Sequence, residues 1–497
     1  MKSNVLNKIT NMYLIVLIIF FPLIVGSKGY ENILEVKYYS FIILSICYFL
    51  VSTISYFYEL IIKGNNLLKN KKFTILDYLI IIYLIINIIS TIFSPYKDYN
   101  LMKGLGRGEG LLIVIIYVLN YFFISKTGRF DKKIFRYFAI SSLLVSLIGC
   151  LQFWGLNPLD LYKGISGPYN MSYMSTIGNI DFLSAYYVIT ISICSLCYIF
   201  NDNTKKEKYL YLLSLIFSIF IFLLINVDSG KVAFLSLILI VFPYILKNNV
   251  RLSRFLNVIA IVIFGYFLNY FVDMRYFANL NIYKASWHFD LINLMLFLSI
   301  VVVLLASICM KNKKYELRKV NKLYLGYIPL FIIGLFIIYN YDLGISFLND
   351  LRNILHGNFS DNIGNYRLFL WKRSLILFKD YPIIGTGPDT FGMRFMNSFK
   401  DDILLVSEMS INDTAANVYL TNLVNIGILG FISYVLVIIE PLFKKKKDIN
   451  YKILLLTLIS LSISNFFNIS LVIITPFLWT ILGLLNIENI DVKWYDY

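Results

Sequence analysis

The chain has 497 residues, of which 59% are hydrophobic and 15% are charged, and its mean hydropathy is +0.72. Soluble domains have about 45–50% apolar and about 25% charged residues, so this composition excludes a soluble globular protein and indicates a membrane protein. The net charge of +16 is compatible with nucleic-acid binding. However, the basic residues follow the loop pattern of membrane proteins, so we expect no nucleic-acid partner.

Apolar runs long enough to cross about 30 Å of hydrocarbon recur from one end of the chain to the other. We predict fourteen, at residues 10–26, 39–62, 74–93, 110–125, 134–154, 180–200, 209–227, 231–247, 255–271, 288–310, 324–342, 417–440, 451–468 and 470–487. The first run follows Lys2 and Lys8, but no convincing cleavage site follows it, so we interpret it as a membrane helix. The fold class predicted is an all-α polytopic membrane protein with about 12–14 transmembrane helices.

Lysine and arginine alternate between the connections of these predicted helices. They concentrate in the amino terminus and in residues 63–72, 126–136, 205–208, 247–254, 311–322 and 444–452. All these segments lie on one side if every run spans the membrane. The positive-inside rule then places both termini in the cytoplasm, with the basic segments in contact with anionic lipid.

We interpret residues 1–497 as a single membrane domain, because no repeat or low-complexity linker divides the chain. Two connections on the predicted outer side are long: residues 155–179 and residues 343–416. A connection as long as 343–416 rarely lacks structure of its own. We therefore predict a large extracytoplasmic loop that carries amphipathic helices.

The stretch "NYRLFLWKRSLILFKDYP" predicts one such helix inside the loop, ended by Pro382. Apolar side chains recur at helical spacing at Leu368, Trp371, Leu375 and Phe378. Cationic side chains occupy the same helix at Arg367, Lys372, Arg373 and Lys379. This pattern favours a helix in the membrane interface whose cations reach phosphate groups.

A glycine-rich turn, "GTGPDTF", follows this helix. It supplies Gly385 and Gly387, but Thr390 stands where a dinucleotide-binding fingerprint needs its third glycine. Nucleotides are cytoplasmic, whereas the loop is predicted outside. A nucleotide site is therefore not predicted here. Cys194 and Cys197 lack a second ligand pair, so no metal site is predicted either.

Further polar motifs lie at the ends of predicted helices on the same side as the loop. They are "GLGRGEGLL" at 104–112, "STIGNIDFLSAYY" at 175–187, "NVDSGKVAFLSL" at 226–237 and "DTAANVYLTNLVNIGILGF" after the loop. Over residues 100–440, the order and spacing of these motifs and the loop helix resemble the O-antigen ligase and polymerase family of membrane glycosyltransferases.

The resemblance implies a glycosyltransferase of the bacterial cell membrane that needs no metal or cofactor. Its donor would be an oligosaccharide on undecaprenyl diphosphate, and its acceptor a glycan or glycolipid. Cationic residues would grip the diphosphate, with Arg367 as one clamp and Lys231 where the family commonly has an arginine. The catalytic candidates are Arg367, Lys231, Asn417, Asp413 and Glu109. The substrate-binding candidates are Arg107, Trp371, Gly385, Gly387, Pro388, Asp389, Asn179 and Asp228.

The sequence departs from the family at the proposed general base. Family members usually read His-Asn before Tyr-Leu, whereas "INDTAANVYL" places Ala416 at the histidine position and keeps Asn417. Neither His288 nor His356 matches that position. Asp413, Glu109 or Asp228 could substitute, since base catalysis supplies about 10² to 10⁴ in rate.

Several candidates also have structural interpretations. Arg107 and Glu109 could form an interfacial ion pair, Asp228 could be the partner of Lys231, and Asn417 could cap its helix. Trp371 could be an interface aromatic, and the glycines could form a plain turn.

Two other functions remain open. A transporter or flippase of lipid-linked oligosaccharide would need polar residues near the bilayer midplane and paired broken helices, of which the sequence shows few. The second alternative is a catalytically silent scaffold that binds other polysaccharide-assembly proteins. It is considered because Ala416 stands at the position of the family histidine.

Overall fold

The structure is a computed structural model that describes residues 5–64, 66, 68, 71–101, 103–104, 106–165, 174–277, 282–287, 291–311, 324–344, 346–405, 413–444 and 448–487. Ten helical segments in these ranges are long and apolar enough to cross a membrane, and four shorter apolar helices accompany them. Their positions agree with the fourteen predicted runs to within a few residues at most ends. The prediction of an all-α polytopic membrane protein is confirmed. His288 lies outside the described residues.

In the described part of the first half of the chain, ten α-helices follow one another. They are α1 (Val5–Ile15), α2 (Ile33–Ile61), α3 (Ile75–Ile92), α4 (Lys97–Asn100), α5 (Leu111–Thr127), α6 (Lys133–Phe153), α7 (Ile180–Phe200), α8 (Lys205–Leu224), α9 (Asp228–Ile245) and α10 (Asn249–Phe271). A π-turn and a 3₁₀ turn, Val16–Phe20 and Phe21–Leu23, extend α1.

The second half begins with an antiparallel hairpin of β1 (Val272–Phe277) and β2 (Ile282–Trp287), which pairs Val272 with Trp287. Eight helices follow: α11 (Leu291–Lys311), α12 (Tyr327–Asn340), α13 (Ser346–Leu355), α14 (Arg367–Asp380), α15 (Phe391–Leu405), α16 (Val418–Phe443), α17 (Ile449–Asn465) and α18 (Thr475–Leu485). Helices α13, α14 and α15 lie in the loop predicted at 343–416, so this connection carries structure of its own.

Helix α7 forms the centre of the bundle. Its only charged residue is Asp181 in the first turn, and apolar residues with a few hydroxyls occupy all its faces, as is typical of a helix that other helices surround. Nearly all of its residues are buried, and α6, α8, α9, α10 and α17 pack around it. By contrast, α12 has no buried residue and exposes an apolar surface, as expected of a helix that faces lipid.

The apolar face predicted for the loop helix is wrong. Helix α14 buries Phe369, Leu370 and Leu377, whereas Leu375 is exposed. The buried side chains pack with residues of α15 and α16. Two of its cations pair with carboxylates: Lys372 with Asp361, and Arg373 with Asp361 and Asp402. The helix is therefore a packed part of the loop, and protein contacts rather than a lipid interface decide which face is buried.

Helix α16 is broken at Ile426 and Gly427, which have non-helical backbone angles. The glycine-rich turn, together with Pro382 and Ile383 just before it, enters this break. The Asn425 carbonyl accepts from the N–H groups of Thr386 and Gly387, both at 2.8 Å, and the N–H of Ile428 donates to the Pro382 carbonyl at 2.9 Å. The backbone groups that the break leaves unpaired are thus bonded by the turn, as groups buried away from water require.

Arg394 of α15 also bonds the loop to the broken region of α16. Only 3% of Arg394 is exposed. Its guanidinium donates to the Val424 carbonyl, at the end of the first half of α16, and to the Leu377 carbonyl near the end of α14. One side chain therefore bonds terminal carbonyls of two helices, where a positive charge is also favoured by the helix dipoles.

We expect Arg394→Lys to lower the free energy of unfolding by about 2–4 kcal/mol, because lysine cannot reproduce the fork and each buried carbonyl left unpaired costs about 1–3 kcal/mol. Thermal unfolding of the detergent-purified protein would measure this loss. Arg129→Lys, at an exposed position, is the matched control. Equal unfolding temperatures for the two variants would contradict the role assigned to Arg394.

Candidate active site

A cavity of about 60 Å³, lined mainly by polar and aromatic residues, lies where α3, α5, α16 and α18 meet four connecting segments. It admits a few water-sized groups, such as the reacting end of a sugar rather than a whole glycan. Four predicted site residues line it: Arg107, Glu109, Pro388 and Asp389. The remaining lining residues are polar or aromatic, apart from Val114 and Ile426, and include Tyr83, Asn87, Tyr117, Thr414, Thr421, Asn422, Asn425, Tyr434, Ser470, Thr475 and Trp479.

Asp389 fixes the segment that carries Arg107 and Glu109. Its carboxylate accepts from the backbone N–H groups of residues 106–109, at 3.1–3.3 Å. A side chain at Gly106 would collide with this carboxylate, which explains the glycine there. Burial raises the pKa of Asp389 to about 6, while the N–H groups act in the opposite direction. The loop after α14 therefore positions the segment before α5.

Arg107 pairs with Asp413. Its Nε lies 2.8 and 2.7 Å from the two carboxylate oxygens of Asp413, and its guanidinium lies over the Phe182 ring at 6.0 Å. The interpretation of Arg107 and Glu109 as an ion pair is therefore wrong. The contact with Asp413 uses Nε, and within the described ranges no hydrogen bond engages the terminal nitrogens of Arg107.

Glu109 carries the carboxylate best suited to accept a proton. It accepts hydrogen bonds from the Tyr117 hydroxyl and the Ser470 hydroxyl, both at 2.8 Å. Burial raises its pKa to about 7, the negative charge of Asp389 acts in the same direction, and the two hydroxyls oppose it. A carboxyl group with this pKa is partly ionised at neutral pH, the condition that favours a general base.

Arg367 lies at the start of α14. Its Nη1 donates to the Gly364 carbonyl at 3.0 Å and its Nη2 to the Phe467 carbonyl at 3.2 Å. Its Nε is buried and has no hydrogen-bond partner among the described residues. A buried donor without a partner costs free energy unless a ligand bonds to it.

Residues 466–470, between α17 and α18, connect the site residues. The Phe467 carbonyl accepts from Arg367, Asn468 donates to the Asp181 carbonyl at 3.2 Å, and Ser470 donates to Glu109. The Asp181 carboxyl is close enough to Arg367 and Arg107 for their charges to act on it. Sequence reasoning missed residues 466–470, because "FFNIS" has no charge. It singled out the motif at 175–187 but not Asp181 within it, which has the position of an ordinary first-turn acid.

Other candidates have structural contacts. Asn179 and Asn417 cap α7 and α16, each accepting from two backbone N–H groups. Lys231 pairs with Asp228 at 3.2 Å and also contacts Asn226, and neither Lys231 nor Asp228 lines the cavity. The Trp371 indole donates to the Ala415 carbonyl at 3.1 Å. Ala416 adopts a left-handed backbone, with φ of +48°, next to this contact. His356 stacks on Tyr339. Lys444 and Lys126 lie at the end of the bundle opposite to the cavity.

Gly385 and Gly387 permit close approach of the turn to α16 and to α4. A Cβ atom at Gly385 would overlap with the Asn425 carbonyl oxygen, and one at Gly387 would overlap with the Asn100 side chain. Both glycines also have positive φ. They are therefore needed by the backbone path that presents Pro388 and Asp389 to the cavity.

Comparison with known proteins supports the family resemblance. A family model described as O-antigen ligase matches residues 293–435, and no curated protein matches the chain. The matched segment contains the loop, the break in α16, Arg367 and Asp413, whereas Arg107, Glu109 and Ser470 lie outside it. The match confirms the resemblance to O-antigen ligases and supports a role in the assembly of cell-surface polysaccharide by a multi-pass membrane protein.

Proposed function

We propose that this chain, which carries the O-antigen ligase match, is a glycosyltransferase of the bacterial cell membrane. It would move a glycan from an undecaprenyl diphosphate carrier to a hydroxyl of a glycan or glycolipid acceptor. The observation that carries this proposal is Glu109, a carboxylate with a raised pKa in a cavity that Arg107 also lines. Arg367 lies near this cavity, joined to it through residues 466–470.

The proposed reaction is a single displacement. The acceptor hydroxyl attacks the anomeric carbon of the donor as Glu109 takes the hydroxyl proton. A new glycosidic bond forms, the bond between the anomeric carbon and the diphosphate oxygen breaks, and undecaprenyl diphosphate leaves with the electron pair. The configuration at the anomeric carbon would be inverted. Glu109 would act in place of the base that the family has at the position of Ala416. Thr414, which precedes Ala416 by two residues, lines the same cavity as Glu109.

Arg367 and Arg107 are proposed to hold the diphosphate. Negative charge develops on the leaving group, and fixed cations in a site with little water stabilise it. The Nε of Arg367, which has no hydrogen-bond partner among the described residues, and the terminal nitrogens of Arg107 supply N–H donors that suit phosphate oxygens. Lys231 would be an accessory cation, with a point charge in place of a fork.

The break in α16 does not favour the transporter function. In transporters, discontinuous helices leave backbone groups free to coordinate ions and substrates. Here the carbonyl of Asn425 and the N–H groups of Ile428 and Leu429 are bonded to the glycine-rich turn. The break therefore serves contact between the loop and the membrane helices.

The test is a transfer assay with purified protein and lipid-linked oligosaccharide extracted from the same cells. We expect Arg367→Ala to reduce the release of undecaprenyl diphosphate and the growth of glycan roughly 10² to 10³-fold, the loss typical of one transition-state donor. Arg367→Lys should recover part of the activity, because it restores charge without the fork.

Lys379→Ala, an exposed cation of the same helix, is the matched control and should retain full activity. Folding of each variant is checked by thermal unfolding. If folded wild-type protein releases no undecaprenyl diphosphate with its native donor and acceptor, the proposed reaction is wrong and the scaffold function is favoured.

A further inference from the structure

A second cavity lies at the other end of the bundle, on the side that the distribution of lysine and arginine assigns to the cytoplasm. Its volume is about 450 Å³, within the range of about 300–1,000 Å³ typical of ligand pockets. It lies between the end of α9, the starts of α10 and α17, and the segment before α12. The lining residues are Phe200, Ile240, Val241, Tyr244, Lys247, Arg251, Tyr324, Ile449, Lys452, Ile453, Leu455 and Leu456.

One wall of this cavity depends on Pro243 inside α9. Proline has no N–H, so the Leu239 carbonyl one turn earlier loses its helical partner. The Tyr327 hydroxyl donates to this carbonyl at 2.9 Å, and the Tyr324 hydroxyl donates to the Ile240 carbonyl at 2.8 Å. These two bonds hold the start of α12 against α9. The cavity is therefore built by specific contacts.

Charge and apolar surface are separated along the cavity. Lys247 follows the last turn of α9, Arg251 lies in the first turn of α10, and Lys452 lies in the first turn of α17. The apolar residues Ile240, Val241, Leu455 and Leu456 lie about one to two turns deeper in the same helices. Cations at the mouth and apolar side chains below them match a lipid headgroup and its acyl chain.

These three cations supply all the formal charge of the cavity lining. Among the described residues, none of Lys247, Arg251 and Lys452 forms an ion pair. Two of them contact rings instead: the Lys247 ammonium lies 5.2 Å from the centre of the Tyr244 ring, and the Arg251 guanidinium lies 5.3 Å from that of Phe200. By contrast, Lys126, at the same end of the bundle, lies 2.5 Å from Asp77. The charge around the cavity is therefore left for an external anion.

We infer that this cavity binds one anionic phospholipid of the inner leaflet. Its acidic headgroup lies among Lys247, Arg251 and Lys452, and one acyl chain lies along α9 and α17. This site is separate from the proposed transfer reaction. The bound lipid fills the gap between α9, α12 and α17, and the three cations select an acidic headgroup.

The test uses native mass spectrometry of the full chain, purified in neutral detergent and titrated with phosphatidylglycerol. We expect phosphatidylglycerol to bind at least tenfold more tightly than phosphatidylcholine with the same acyl chains. Dihexanoyl phosphatidylglycerol should bind more weakly than the long-chain lipid, and inorganic phosphate should not compete. In a variant with Lys247→Gln, Arg251→Gln and Lys452→Gln, affinity should fall about a hundredfold, since each cation near a membrane surface contributes about fivefold.

A variant with Lys205→Gln, Lys206→Gln and Lys208→Gln removes the same charge at the same end of the bundle from residues that do not line the cavity, and should keep the affinity. Equal losses in the two triple variants, equal binding of the two lipids or displacement by phosphate would each overturn the proposal. If the triple variant does not fold, Lys452→Gln alone is compared with the wild type, because Lys452 is exposed.

Discussion

Glu109→Gln is expected to reduce the rate of glycan transfer by about 10² to 10⁴, the usual contribution of a general base. Glutamine has nearly the shape of glutamate, and its carbonyl can still accept from Tyr117 or Ser470. It cannot take a proton from the acceptor hydroxyl. We therefore expect kcat to fall while the folded structure and binding of the donor are kept.

The pH dependence gives a second measurement for Glu109. The base acts only when ionised, so with its pKa raised to about 7 the activity of the wild type should rise as the pH increases through about 7. Residual activity of Glu109→Gln should lack this rise.

Stability should change in the opposite direction. A glutamate whose pKa is raised in the folded state binds more protons there than in the unfolded state, so it lowers stability as the pH rises from about 4.5 to about 7. Glu109→Gln removes this effect and should be at least as stable as the wild type at pH 8. A destabilised variant, or one with unchanged activity, would assign Glu109 a structural role.

Asp228→Asn is the matched control. Asp228 is a candidate base from the sequence, but it is exposed and paired with Lys231. It should keep its activity and its pH profile. Asp413→Asn should act differently again. Asp413 is already paired with Arg107, so its loss should affect donor binding through Arg107 and leave the rise near pH 7 in place.

The hydropathy of the sequence was sufficient to predict the helices, because the bilayer requires each spanning segment to be long, apolar and internally hydrogen-bonded. The burial of the loop helix could not be predicted in this way. Its cations pair with Asp361 and Asp402, and its apolar face is decided by residues of α15 and α16 that are distant in sequence.

The candidate site, too, could be predicted from the sequence only in part. The motif with Arg107 and Glu109 was visible because charges are rare near apolar runs. The partners that give them their chemistry were not visible: Asp389 bonds to a segment about 280 residues earlier, and Ser470 about 360 residues later bonds to Glu109. Hydroxyl residues such as Ser470 are common in this chain and carry no signal of their own.

The second large effect is expected from Gly427→Ala. Gly427 has φ of +66° and ψ of −172°, a region open essentially to glycine, and residues held in such regions cost about 1–3 kcal/mol. A Cβ atom there would also overlap with the Ile383 carbonyl oxygen, as one at Gly385 would with that of Asn425. The turn would have to leave the break, and the backbone bonds of Asn425, Ile428 and Leu429 would be lost.

We therefore expect Gly427→Ala to lower the free energy of unfolding by about 3 kcal/mol or more, since each unpaired buried group adds about 1–3 kcal/mol. Transfer activity should be lost with it, because Asn425 and Ile426 line the cavity. Gly334→Ala in α12 is the control, because no atom of the described residues lies within 4 Å of its Cβ position and alanine favours a helix. Because the two glycines contact the same junction, the double variant Gly385→Ala, Gly427→Ala should lose less than the sum of the single losses. Strict additivity, or a single variant as stable as Gly334→Ala, would mean that the turn and the broken helix are not one unit.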